Sequence, residues 1–197
     1  MDSFDYFQLI NLSIFYLIFI GRIVQLILSG INPIVLGTER GRVRAYLEKS
    51  IFFGLALWTF EAVSICLGLE FHLFSDLRLF SIMPLRISGV ILEAAAMIIF
   101  VFAVFSFGRS WRVGIDTKTA GKLVTGGVFS VTRNPIFLFL NLFFLGTFLI
   151  YPTIFFAVSA FVVVLGNHLQ VIQEERFLEK QYGKEYLEYK RDVRRYL

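Results

Sequence analysis

Residues 134–171 read NPIFLFLNLFFLGTFLIYPTIFFAVSAFVVVLGNHLQV, two apolar runs that meet at Tyr151-Pro152. An interior proline removes a helical hydrogen bond and clashes with the preceding turn, so one unbroken helix of this length is disfavoured. The pattern predicts a tight helical hairpin, Ile136–Ile150 followed by Thr153–Val171, turning at Tyr151-Pro152. Outward from the hairpin the apolar character persists. Five runs stand out: Phe7–Leu28, Ile51–Leu69, Leu85–Phe107, Pro135–Tyr151 and Thr153–Leu169. A helix needs about 20 mostly apolar residues to cross the hydrocarbon core. The composition agrees: 57% hydrophobic residues and 24 Phe exceed what a soluble domain of 197 residues carries. The expectation is an all-α integral membrane protein with about five transmembrane helices.

Charge sets the orientation. Of the 19 basic residues, all but Arg22, Arg78 and Arg86 fall in the segments that share one side of the membrane if the N-terminus is outside. The positive-inside bias therefore predicts N-out, C-in. The net charge of +4 is then a topology signal, and nucleic acid is not an expected partner. The acidic start Met1-Asp2-Ser3-Phe4-Asp5 and the long first apolar run do not fit a cleavable signal. Cys66, the one cysteine, lies within the second run and reads as a buried, inert thiol. One domain is expected over 1–197, with three N-terminal spans in 1–107 and a loop, hairpin and amphipathic helix in 108–197.

Two polar features bracket the hairpin. The first is the loop Gly108–Thr132, with Gly108, Gly114, Gly121, Gly126 and Gly127, ending at Asn134-Pro135. Such glycines permit close backbone approach to a ligand, or simply a flexible surface loop. Proline suits a first helical turn, where free N–H groups and the positive end of the helix dipole collect. The second feature is the pair Glu174-Glu175, of which only one carboxylate can face a given site. Beyond it, Leu178, Tyr182, Tyr186, Tyr189 and Val193 recur at helical spacing. They predict a cytoplasmic amphipathic helix over Glu174–Tyr196 that Gly183 can divide. It either caps a site facing the cytosol or lies on the headgroups.

These elements occur in a recognisable order. Leu123-Val124-Thr125-x-Gly127-x-Phe129, Arg133-Asn134-Pro135-x-Phe137, Glu174-Glu175 and Tyr182-Gly183-x-Glu185-Tyr186-x-x-Tyr189 resemble the isoprenylcysteine carboxyl methyltransferase family and its phospholipid methyltransferase relatives. The resemblance covers about residues 105–195. It implies an integral membrane enzyme that binds S-adenosyl-L-methionine at the cytoplasmic face and methylates a lipophilic, prenylated or lipid acceptor from the bilayer. Carried over by position, the cofactor residues are Lys122, Leu123, Val124, Phe129, Arg133, Asn134, Pro135, Ile136, Phe137 and Glu174. Backbone groups near Leu123 would pair with adenine, and Phe129 and Phe137 would offer apolar faces to the base or the sulfonium. Glu174 would bind the ribose hydroxyls or the ammonium group, and Arg133 would anchor the loop or the cofactor carboxylate.

The chain departs from the family at three kinds of position. Asn134 stands where His is common, and Phe129 and Phe137 where Tyr is common. Gln170, with His168 nearby, occupies the place of an arginine expected to meet a carboxylate acceptor. Methyl transfer itself requires mainly alignment of nucleophile, methyl carbon and sulfur. An amine or hydroxyl acceptor would also need a base, for which Glu175 and His168 are the candidates. Gln170 and the intramembrane carboxylates Glu61 and Glu93 are candidates for the acceptor side, since ionisable groups in spans default to function. No metal site is expected from two distant histidines. The competing readings are a nicotinamide-dependent, sterol-reductase-like enzyme and a non-catalytic membrane protein that retains the fold.

Overall fold

Each apolar run is helical in the computed structural model, which describes residues 1–32, 42–69, 74, 77–108 and 123–197. In chain order the helices are α1 (Ser3–Leu28), α2 (Arg42–Cys66), α3 (Met83–Phe107), α4 (Pro135–Ile150), α5 (Ile154–Tyr182) and α6 (Lys184–Asp192). A short 3-10 turn, Gly127–Ser130, precedes α4. No strand occurs among the described residues, only isolated bridges at Arg78–Thr153 and Thr132–Arg194. Helices α1, α3 and α5 are long and apolar enough to cross a membrane. Helix α4 has 16 residues, so at about 1.5 Å each it runs about 24 Å against roughly 30 Å of hydrocarbon. In α2 only Phe52–Cys66 is apolar. Of the five apolar runs, three thus form helices long enough to cross a membrane and two form shorter apolar helices.

The described residues fall into two compact units, one within 1–77 and the other made of 78–108 with 123–197. In the first, α1 begins with a capping box in which Asp2 accepts from the N–H groups of Phe4 and Asp5. It packs on α2, where Tyr16 and Thr59 share a hydrogen bond of 2.6 Å between their hydroxyls. Trp58, Glu61, Ala62 and Cys66 are buried on α2.

The second unit is organised around the crossing of α3 and α4. Lipid is as apolar as leucine, so helices in a membrane associate through close packing and interhelical hydrogen bonds. Both are present. Gly89 and Gly146 meet so closely that a Cβ on Gly89 would lie 2.6 Å from the Gly146 carbonyl oxygen. Beside them Thr147 Oγ1 lies 2.6 Å from Glu93 Oε1, with both side chains fully buried. Phe100 stacks on Phe139 at 4.5 Å toward the other end of the crossing. The third span therefore belongs with the hairpin, although hydropathy alone groups it with the N-terminal spans.

The α4–α5 hairpin turns at the expected place. Tyr151 N–H donates to Thr147 O at 2.8 Å, and Thr153 caps α5 by accepting from Phe156 N–H. Arg86 donates from Nε to Ile150 O at 3.2 Å, so it ties down the C-terminal end of α4. Asn141 and Asn167 join the two helices at 2.8 Å.

One expectation needs correction. The glutamates do not mark a helix exit, because α5 continues for 29 residues to Tyr182. It is about 43 Å long at about 1.5 Å per residue, well over the hydrocarbon thickness. The amphipathic stretch Glu174–Tyr196 is divided at Gly183 as offered, into the end of α5 and the nine-residue α6, with an extended segment from Val193. Gly183 has φ +55, a conformation open to glycine at little cost.

Candidate functional site

Three pieces of chain converge beside the polar half of α5. They are the lip Thr132-Arg133-Asn134 that feeds α4, the acid Glu175 on α5, and the segment after α6. Thr132 bridges to Arg194, and Arg133 N–H donates to Arg194 O at 3.0 Å. Thr132 Oγ1 donates to Arg195 O at 3.2 Å. Arg133 Nη1 reaches Lys190 O at 2.7 Å and Val193 O at 2.6 Å. The lip is thus sewn to the segment 190–195 largely by main-chain carbonyls.

Charge completes the junction. Glu175 is 3% exposed. Its Oε1 accepts from Arg133 Nη2 at 3.0 Å, and its Oε2 from Arg195 Nη2 at 2.8 Å. Oε1 also accepts from Arg133 Nε, Arg195 Nε and Asn134 Nδ2 at 3.2–3.4 Å. Two guanidinium groups around one buried carboxylate satisfy the requirement that a buried charge be paired and hydrogen-bonded. Losing Glu175 would leave the buried Arg133 without its counter-charge. Glu175 was a candidate base. A carboxylate committed to Arg133, Arg195 and Asn134 is poorly placed to take a proton from an acceptor, and its geometry is that of a structural clamp.

Asn134 holds an unexpected position. It is the residue before α4 and of a type favoured as N-cap, yet its side chain makes no cap hydrogen bond. Nδ2 donates instead to Arg195 O at 3.1 Å and toward Glu175. Behind Pro135, the N–H groups of Ile136 and Phe137 in the first turn have no acceptor among the described residues.

The remaining expected residues lie around this junction. Leu123 and Val124 are half-buried just before the 3-10 turn; Lys122 lies outside the described residues. Phe129 is buried, edge-on to Phe107 at 4.7 Å, and its carbonyl accepts from Tyr189 Oη at 2.7 Å. Its ring therefore anchors the turn on α3, and Phe137, half-buried, is the more available aromatic. Val128 N–H donates to Ser106 Oγ at 3.4 Å and adds a second anchor on α3. Glu174 is half-buried and has no hydrogen-bond or ion-pair partner among the described residues. His168 is exposed, with Nδ1 3.3 Å from Tyr196 Oη. Gln170 is half-buried on the same helix. Glu93 sits in the α3–α4 contact with Thr147, and Glu61 is in the other compact unit.

On α6, burial pushes the Tyr189 hydroxyl up to about 12, so it remains a donor to Phe129 throughout the neutral range. Burial, reinforced by the Glu175 charge, likewise pushes the Tyr186 hydroxyl well above its ordinary value. That hydroxyl is buried without a hydrogen-bond partner among the described residues. A shallow groove of about 300 Å³ runs along this side, lined by Ile172, Glu175, Arg176, Glu179, Lys190 and Arg195. Lys190 closes part of it through an ion pair with Glu179.

Arg195, Tyr196, Thr132 and Ser106 were not among the residues picked out from the sequence. Arg195 was counted only as one of many cytoplasmic charges, and contacts made through main-chain carbonyls leave no residue-type signal. Residues 85–185, about half the chain, match the family described as phospholipid methyltransferase. No curated protein matches the chain.

Proposed function

Because the chain belongs to the phospholipid methyltransferase family, we propose that it is a membrane enzyme transferring a methyl group from S-adenosylmethionine to a lipophilic acceptor. The observation that carries the placement is the contact between Asn134 and Glu175. It brings the lip, the first turn of α4 and the acidic pair of α5 to one place, with Glu174 one residue from the contact.

The residues present suit the cofactor's functional groups. Its ammonium and ribose hydroxyls call for an acceptor, and Glu174 offers a half-buried carboxylate with no other hydrogen-bond or ion-pair partner among the described residues. Its carboxylate calls for donors, and the first-turn N–H groups of Ile136 and Phe137 have no acceptor among the described residues. A helix N-terminus favours an anion there. Phe137 offers an aromatic face to the positive sulfur, and Leu123 and Val124 offer main-chain groups to the base. When bound, the cofactor supplies a methyl group already activated by that sulfur. The protein then has to hold, orient and exclude water. Glu175 and Arg133 keep the lip rigid, and His168, exposed on α5, is the remaining candidate base for an acceptor that must lose a proton.

The acceptor enters from the bilayer between the apolar faces of the helices. Gln170 supplies no cation, so an isoprenylcysteine-type carboxylate acceptor is less suited to this site than one lacking that charge. The concentration of basic residues in the loops and after α5 supports a cytoplasmic site in a multi-pass protein.

Calorimetry in detergent tests this reading. S-adenosylhomocysteine should bind the wild-type protein and bind much more weakly to Glu174→Ala. Preferential binding of NADPH would favour a reductase, and binding of neither would favour a non-catalytic protein.

A further inference from the structure

We propose that Arg195 is a positioning residue of the cofactor site, acting on Asn134 through Glu175 and through its own main-chain carbonyl. The proposal rests on the reading above. Asn134 is placed to cap α4, and a capping side chain accepts from the N–H groups two and three residues on. Those are the N–H groups of Ile136 and Phe137, which the reading assigns to the cofactor carboxylate. A capping Asn134 would occupy them.

The side chain is held elsewhere. Its Nδ2 is drawn to Arg195 O at 3.1 Å and Glu175 Oε1 at 3.4 Å. Arg195 in turn grips both oxygens of Glu175, with Nε to Oε1 at 3.2 Å and Nη2 to Oε2 at 2.8 Å. Arg133 holds the same carboxylate from the other side. The Arg195 side chain is about one-third exposed, whereas Arg133 and Glu175 are buried. Arg195 can therefore be replaced while the buried pair stays intact. Its loss frees Glu175 to shift toward Arg133, loosens the segment 193–196, and lets Asn134 turn back over the first turn of α4. In this proposal Arg195 acts through Glu175 and not on the cofactor itself.

The test is calorimetric titration of S-adenosylhomocysteine into the purified full chain in detergent. The variants are Arg195→Ala, Arg195→Lys, Asn134→Ala and the double variant Arg195→Ala/Asn134→Ala. Arg195→Ala should weaken binding about tenfold, the worth of roughly one hydrogen bond, with the stoichiometry unchanged. Partial unfolding would do the reverse, lowering the stoichiometry and leaving the Kd of the remaining sites alone. Arg195→Lys, which keeps one donor on Glu175, should fall between. Because the effect runs through Asn134, Arg195→Ala should add little when Asn134 is already Ala.

An Arg195→Ala Kd equal to wild type, or a further tenfold loss on the Asn134→Ala background, would overturn the proposal while wild-type binding upholds the cofactor reading. A wild-type protein that binds no S-adenosylhomocysteine overturns both. Should Arg195→Ala fail to fold, a wild-type Kd in Arg195→Lys counts against the proposal and an intermediate one supports it.

Discussion

Two glycines in apolar helices should respond in opposite ways to the same added methyl group. At Gly146 a Cβ would lie 2.5 Å from Glu93 Cγ and 2.9 Å from Gly89 O. At Gly166 on α5 a Cβ would meet nothing within 4 Å. Helix propensity favours alanine over glycine by about 1 kcal/mol at both sites. At Gly146 that gain is opposed by overpacking, which costs about 1–3 kcal/mol in a close-packed contact. The α3–α4 crossing has little room to yield, since one of the atoms in the way is a main-chain oxygen and the other belongs to the Glu93 side chain bonded to Thr147. Gly146→Ala should therefore lower stability by up to about 2 kcal/mol net, and Gly166→Ala should be neutral or slightly stabilising. The assay is reversible unfolding in mixed detergent micelles, followed by circular dichroism and by tryptophan fluorescence. Equal midpoints for the two variants would refute the close crossing of α3 and α4. Because α4 carries Asn134 at its start, Gly146→Ala should also weaken S-adenosylhomocysteine binding, and Gly166→Ala should not.

The two adjacent glutamates should separate by role. Glu175→Ala leaves Arg133 buried without its carboxylate and should cost about 3–5 kcal/mol in the same unfolding assay, while Glu174→Ala should leave the midpoint within about 0.5 kcal/mol; the reverse pattern would exchange their assignments. Stability should also fall at high pH. Tyr189 is raised from its ordinary value near 10 to about 12 in the folded chain, so it favours folding below pH 10 and that contribution is lost as pH rises toward 12. Tyr189→Phe should flatten this part of the stability curve measured by thermal melts, and an unchanged slope would contradict the buried hydroxyl. Gln170→Arg should raise methyl transfer to prenylcysteine analogues, by supplying the missing cation; unchanged or lower turnover would show that Gln170 does not face the acceptor.

The parts of this fold legible in the sequence are those that a single residue type imposes. Pro152 stops a helix wherever it lies in an apolar run, and the turn is found there. Gly183, offered as a break in the C-terminal helix, is one because its backbone adopts positive φ. Phe129 and Asn134 were recognised by type and order, but their roles were not. Phe129 spends its ring on Phe107, and Asn134 leaves its cap for Arg195 and Glu175. What stayed hidden depends on partners distant in sequence. The pairing of Gly89 with Gly146, the sharing of Glu175 by Arg133 and Arg195, and the carbonyls that hold the lip have no local pattern. The end of α5 was also misplaced, because charge at Glu174 marks where the helix turns polar and not where it stops.

Cross-linking locates the cofactor most directly. Purified protein is irradiated with methyl-labelled S-adenosylmethionine, and the labelled peptides are mapped with and without excess S-adenosylhomocysteine. Competed label within residues 123–137 and in the neighbourhood of Glu174 is the expected result. Competed label confined to α1 and α2, or no competed label at all, would contradict a site built from the lip and the acidic pair.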